Sequence, residues 1–295
     1  CIIRIWTYSG PPRSWKRRFQ PAIIFSRIKG EADMLTGKNI VVTGAASGIG
    51  QRTAELAQAM GATVFSVDRN IPEQRVGHFI EADLGSQKGV NDLIEALPGG
   101  IDALANVAGL SGTSGRVATI AVNFFALRAL SLGLASKINQ CGSVINVASI
   151  AGFGWRANLE RAKKALAVSE FPTNIDKFCD DHNIQNETSY PDSKELLLLW
   201  TYQASQDPIF KDKNIRINAV SPGPVETPIL KQFREVLGDE RVNSDINRVG
   251  RAGTAHDIAP PILFLASDAS RWVNGTNLAC DGGLEASVMA EVMEF

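Results

Sequence analysis

Cysteine is sparse and scattered in this chain. Cys1, Cys141, Cys179 and Cys280 form no C-x-x-C pair and stand near no histidine cluster. That argues against a disulfide scaffold or a zinc site and reads as free thiols in a reducing compartment. Histidine is equally thin: His78, His182 and His256 lie apart from acidic or cysteine neighbours at metal-ligand spacing, so they read as structural or exposed and no metal is expected. Excess charge is missing too, because 30 basic and 31 acidic residues leave a formal net charge of −1. Such a balance gives no reason to expect nucleic acid or an anionic membrane as partner. No segment offers the ~20 continuous apolar residues of a membrane span. What remains is an ordinary globular composition, 44% apolar and 21% charged over 295 residues, enough for one large or two small domains. It suits a cytoplasmic protein that handles a small molecule.

Residues 1–33 read differently from the rest. They hold seven Arg and Lys residues against Glu31 and Asp33, with Pro11-Pro12 interrupting any helix. An organellar presequence has that basic, acid-poor character; so can sequence upstream of a start at Met34, or an expression remnant. In every case residues 1–33 are expected to be an extension outside the fold, and 34–295 one catalytic domain.

From Met34 onward, strand-like and helix-like stretches alternate. Strands are expected at 39–43, 62–68, 78–84, 102–109, 142–149, 215–221 and 277–281. Helices are expected at 48–60, 86–97, about 117–137, around Tyr190 and near 255–267. Strands apolar nearly throughout, separated by helices, imply a parallel sheet covered on both faces, hence a single α/β, doubly wound, Rossmann-type domain. One stretch breaks the rhythm: 40 residues separate Ser149 from Tyr190. Within this insertion (152–186), 157–170 and 173–181 look helical, with Thr173 as N-cap of the second. A connection so long is usually functional, and we expect it to be a lid or wall over a substrate cleft.

Two motifs give the alternation a chemistry. Thr43-Gly44-Ala45-Ala46-Ser47-Gly48-Ile49-Gly50 follows a strand and opens a helix, the setting a dinucleotide fingerprint requires. Gly44 permits a tight turn, Gly48 a close backbone approach and Gly50 close helix packing. The helix N-terminus offers unpaired N–H groups to a pyrophosphate. Asp68 ends the second strand, where a carboxylate can take ribose hydroxyls and repel a 2′-phosphate. NAD is therefore expected over NADP, although Arg69 next to it could hold that phosphate. Tyr190-Pro-Asp-Ser-Lys194 puts a phenol and an ammonium on one helix face. Beside a dinucleotide site, the pair suggests an acid/base tyrosine whose pKa is lowered by the lysine and by the bound nicotinamide.

Taken with Asn106-Val107-Ala108-Gly109, Ser149 and Pro222-Gly223, these motifs stand in the order of the short-chain dehydrogenases/reductases, which the chain resembles from about Leu35 onward. Two features depart from the family pattern: Asn-Val-Ala-Gly replaces Asn-Asn-Ala-Gly, and the Ser-to-Tyr interval is long. The long interval makes the chain most similar to the bacterial coniferyl alcohol dehydrogenases, and next to the 3α-hydroxysteroid dehydrogenase/carbonyl reductases.

The resemblance implies that Tyr190 is general acid/base, that Ser149 binds the substrate oxygen, and that Lys194 holds the nicotinamide ribose. It implies that Asn123 supports a proton relay. It places Ser47, Ile49, Asp83, Leu84, Asn106, Ala108, Gly109, Pro222, Gly223, Val225 and Thr227 around the cofactor with the glycine loop. Arg271-Trp272 reads as surface charge and core packing. The implied activity is NAD-dependent interconversion of an alcohol and a carbonyl, for an aromatic alcohol such as coniferyl alcohol. A 3α-hydroxysteroid substrate is the alternative, and a non-catalytic redox sensor the remote one. A homodimer or homotetramer is expected.

Overall fold

The computed structural model describes residues 34–294, and the extension expected at 1–33 lies outside the described residues. β1 (Asn39–Thr43) carries the β-branched Ile40, Val41 and Val42, all fully buried. The helix Gly48–Ala59 follows and stops where Gly61 turns left-handed at φ 87°. Then come β2 (Thr63–Asp68), β3 (His78–Glu81), a helix (Gln87–Ala96) capped by the Ser86 hydroxyl, and β4 (Ile101–Asn106). A 20-residue helix, Gly115–Leu134, leads to β5 (Ile138–Val147). After the insertion, the Tyr190 helix (Ser189–Ala204) and β6 (Arg216–Pro222) complete the central part. β7 (Val225–Glu226), the helices Pro228–Leu237 and Asp239–Val249, β8 (Gly253–Thr254), the helix Ala255–Ala266, β9 (Asn277–Cys280) and the helix Leu284–Val292 close the chain.

Seven of these strands form one parallel sheet in the order β3-β2-β1-β4-β5-β6-β9. The order reverses between β1 and β4, so the crossovers leave in opposite directions there and open a crevice at the strands' C-terminal ends. The glycine loop, Ser149 and Pro222-Gly223 stand at strand ends on that edge. The expected doubly wound α/β sheet is the one observed. β7 and β8 pair separately as a two-stranded ribbon.

Several boundaries differ from the sequence expectation. β3 ends at Glu81 rather than at residue 84, leaving Asp83 and Leu84 in the turn beyond it. β5 starts earlier, at Ile138, with a register shift against β4 and Cys141 at φ 64°. The second insertion helix begins at Ile175, and its N-cap is Asn174, not Thr173: Asn174 Oδ1 accepts from the Lys177 N–H at 2.9 Å. Trp272 is 98% exposed and so contributes nothing to the core.

Gly115–Leu134 is long and apolar enough, by length and composition, to cross a membrane, yet most of it is buried in the fold. Phe124, Phe125, Leu127 and Leu130 are fully buried there, each worth roughly 1.5–3 kcal/mol. Its middle, Ala121–Ala126, widens into a π-helical turn.

The insertion folds as the helices Leu159–Leu166 and Ile175–Asp181 after a 3₁₀ segment, Ile150–Arg156. The rings of Phe171 and Phe178 stand 5.6 and 4.8 Å from that of Phe125. Arg116, at the start of the long helix, reaches both Asp176 and Asp180 at 2.7 Å. The insertion is therefore packed onto the long core helix and the outer side of the Tyr190 helix.

Candidate active site

The crevice is built from β1 outward. Thr43 Oγ1 accepts from the Val107 and Ala108 N–H groups, both at 3.0 Å, which ties the end of β1 to the end of β4. Gly44, at φ 71°, lies so close to β4 that a Cβ would stand 2.8 Å from Ala108 Cα. A Cβ on Gly50 would stand 2.1 Å from the Gly44 carbonyl oxygen. These two positions admit only glycine. Ser47 is N-cap of the helix that follows, but its side chain does not cap it, so the first-turn N–H groups stay available to a ligand. Asp68 accepts from the Ala46 N–H at 3.0 Å and the Asn70 N–H at 2.9 Å, and thereby holds the loop's far side. A glycine cradle, a helix N-terminus with open donors and a fixed carboxylate form a donor set that fits a dinucleotide.

β5 supplies the other wall. Ser149 follows its end, is 8% exposed, and accepts from the Ala151 N–H at 3.1 Å. Tyr190 lies on the helix Ser189–Ala204 and lines the same cleft as Ser149. Lys194, one turn on, is buried; its Nζ donates to the Val147 carbonyl at 2.8 Å and lies 5.8 Å from the Tyr190 ring centre. Such an arrangement can pass a proton to or from an oxygen held between Ser149 and Tyr190.

The charge balance differs from the expected one. Burial pushes the Tyr190 phenol up to about 12, with the Ser149 hydrogen bond opposing in part. Burial also pulls Lys194 down to about 7. With its own ammonium desolvated, the lysine is not among the groups that lower the phenol. A stability signature follows. Between about pH 7 and the ordinary lysine value of 10.5 the unfolded chain carries a proton on this lysine that the folded chain lacks, so stability rises with pH across that window. Thermal unfolding should show Lys194→Met more stable than wild type near pH 7, with the advantage shrinking toward pH 10. A gap that stays constant with pH would show that Lys194 is not depressed.

Of the residues singled out from the sequence, Gly44, Ser47, Gly48, Ile49, Gly50, Asp68, Asp83, Leu84, Ala108, Gly109, Ser149, Tyr190, Lys194, Pro222, Gly223, Val225 and Thr227 all line this one cleft. Asn106 and Asn123 do not. Asn106 is fully buried within the sheet, where its Nδ2 donates to Ser131 Oγ and Asn146 Oδ1, both at 2.9 Å. It fastens β4 to β5. Asn123 sits in the π-turn with its amide spent on Leu110 N–H and C=O and on Ser193 Oγ. It shapes the loop after β4 from behind.

None of residues 150–188 of the expected lid is among those lining the cleft. The outer wall is instead the helix Pro228–Leu237, with Ile229, Gln232 and Phe233. The Phe233 ring stands edge-on to Tyr190 at 4.6 Å, and Gln232 Oε1 accepts from Ser111 Oγ at 2.6 Å. The signal for this wall was present in sequence as Ile229, Leu230 and Phe233 at helical spacing after a proline. It went unread.

Residues 38–161 match the family model described as short chain dehydrogenase, and 173–285 the one described as enoyl-(acyl carrier protein) reductase. Coniferyl-alcohol dehydrogenase of Pseudomonas sp. (strain HR199 / DSM 7063) is 38% identical over 253 residues, covering 86% of this chain and 98% of that protein. A 2,5-dichloro-2,5-cyclohexadiene-1,4-diol dehydrogenase of Sphingobium indicum is 28% identical, over 85% of this chain and 98% of its own length. The solved 3-alpha-hydroxysteroid dehydrogenase of Pseudomonas sp. B-0831, complexed with NADH, superposes with a TM-score of 0.74 at 27% identity, over 86% of this chain and 99% of that one. With these matches, the chain belongs to the short-chain dehydrogenase/reductase family of oxidoreductases.

Proposed function

We propose that this enzyme is an NAD-dependent alcohol dehydrogenase/carbonyl reductase whose substrate is an aromatic alcohol such as coniferyl alcohol. The observation that carries the reading is the meeting of Ser149, Tyr190 and Lys194 at the mouth of the glycine cradle. A bound nicotinamide supplies the hydride acceptor or donor. Around it, the Gly44–Gly50 backbone and the helix N-terminus would hold the pyrophosphate, and Asp83 and Leu84 the adenine end. Asp68, fixed by two backbone amides, supports NAD over NADP, because a 2′-phosphate would meet its charge.

Ser149 hydrogen-bonds the substrate oxygen, and Tyr190 gives it a proton in reduction or takes one in oxidation. In oxidation the phenol must shed its proton at neutral pH. Each unit of lowering asks for about 1.4 kcal/mol. That need links proton transfer to a filled cofactor site, where the nearby positive charge favours the phenolate.

The apolar wall of Ile229 and Phe233 suits a flat aromatic substrate. The structural likeness to a 3-alpha-hydroxysteroid dehydrogenase supports a steroid as second reading. Exposed Phe264, Trp272, Val288 and Val292 support assembly as a homodimer or homotetramer, and free thiols among the described residues support a cytoplasmic setting. Reduced cofactor formed from coniferyl alcohol and from a 3α-hydroxysteroid, each with NAD and NADP, tests the reading. Faster turnover of the aromatic alcohol with NAD is expected. Preference for the steroid installs the second reading, and preference for NADP removes the role given to Asp68.

A further inference from the structure

Forty residues separate Ser149 from Tyr190, yet both line one cleft. A connection of that length does not by itself hold two side chains in register, since many closures cost nearly the same. Contacts able to do so lie at its start, from the 3₁₀ turn into the first helix. Arg161 Nη2 donates to Asp192 Oδ1 at 2.5 Å and to Glu195 Oε2 at 3.2 Å. These two acids sit between and just after Tyr190 and Lys194 in sequence, three apart on the helix side that faces the insertion. Their side chains are only 6% and 4% exposed.

Asn158 Nδ2 donates to both Glu195 oxygens, at 2.9 and 3.1 Å. Gly154, in the 3₁₀ turn that starts from Ser149, lies so close that a Cβ there would stand 2.6 Å from Glu195 Oε1. Gly152 in the same turn donates its N–H to the Ser149 carbonyl at 3.0 Å. One buried carboxylate therefore touches both the turn that carries Ser149 and the insertion, from the helix that carries Lys194.

We propose that Arg161, together with Asn158, is a positioning clasp that holds the Ser149 turn against the Tyr190–Lys194 helix without entering the cleft. It bypasses the rest of the insertion, so the Ser149–Tyr190 distance is set by a short bridge and not by the long connection. Removing the guanidinium leaves two buried carboxylates without their cation, and they must then rehydrate by parting the helix from the turn.

The clasp rests on the dehydrogenase reading for its kinetic consequence, and the tests keep the two apart. With coniferyl alcohol or the steroid, whichever turns over, Arg161→Met should lower kcat about 10- to 100-fold while the Kd for NADH, read by fluorescence, stays within about twofold. Arg161→Lys, which keeps a cation but not the fork, should recover most of that loss. Lys164→Met, on the exposed side of the same helix, serves as the control and should match wild type. Should Arg161→Met fail to fold, Asn158→Ala and Arg161→Lys decide, and wild-type kcat in both overturns the clasp. So does wild-type kcat in folded Arg161→Met. If wild type turns over neither substrate, the functional reading fails alone. The clasp is then judged by hydrogen exchange: Arg161→Met should lose protection at 150–156 and 189–196 together, and loss confined to 159–166 overturns it.

Discussion

Replacing Tyr190 with phenylalanine is expected to lower turnover about 10³-fold, the range for loss of a positioned acid/base, while NADH binds as before. The substitution removes one oxygen and nothing else. The ring keeps its edge-on contact with Phe233, and Lys194 keeps its bond to the Val147 carbonyl. Ser149 stays in place through its own bond to the Ala151 amide, so the cleft survives without its proton carrier. Steady-state turnover and NADH fluorescence titration, run side by side, check this. A variant that retains turnover within tenfold of wild type would mean that another group moves the proton. Loss of NADH affinity instead would mean that the phenol holds the cofactor rather than acting on the substrate.

Gly50→Ala is expected to have the second large effect, on the cofactor. The added Cβ would stand 2.1 Å from the Gly44 oxygen and 3.1 Å from the Thr43 oxygen, both backbone atoms with little freedom to retreat. The helix Gly48–Ala59 must shift away from β1, and the donors at its N-terminus move with it. We expect the Kd for NADH to rise at least about 100-fold. Overpacking on the order of 1–3 kcal/mol should also lower the melting temperature by roughly 5–10 °C. Calorimetry and fluorescence titration on the same preparation read both. Unchanged affinity with a lowered melting temperature would show that the cofactor does not use this helix N-terminus.

Both sites were legible in the sequence because each is local. A glycine loop between a strand and a helix, and a phenol and an amine one turn apart, are fixed by spacing alone, and the alternation of apolar strands with helices was enough to predict the parallel sheet. Position at the sheet's carboxyl edge then followed for Ser149, Asp68 and Ala108, since a strand's end is marked in sequence by its next turn.

What spacing could not determine was direction. Asn106 ends a strand as Asp68 does, yet the pleat turns it inward onto Asn146, and only strand register shows this. Asn123 spends its amide on the loop after β4 because the helix widens to a π-turn there. The insertion reads as a lid by its place in the chain, but Phe171 and Phe178 pack against Phe125, and this apolar contact ties it to the long core helix. The direction of the Tyr190 and Lys194 shifts likewise depends on burial, which no residue pattern states. The sequence by itself determined which groups are the candidates for the chemistry. The tertiary structure decided which of them reach the cleft, because that depends on contacts between residues far apart in the chain.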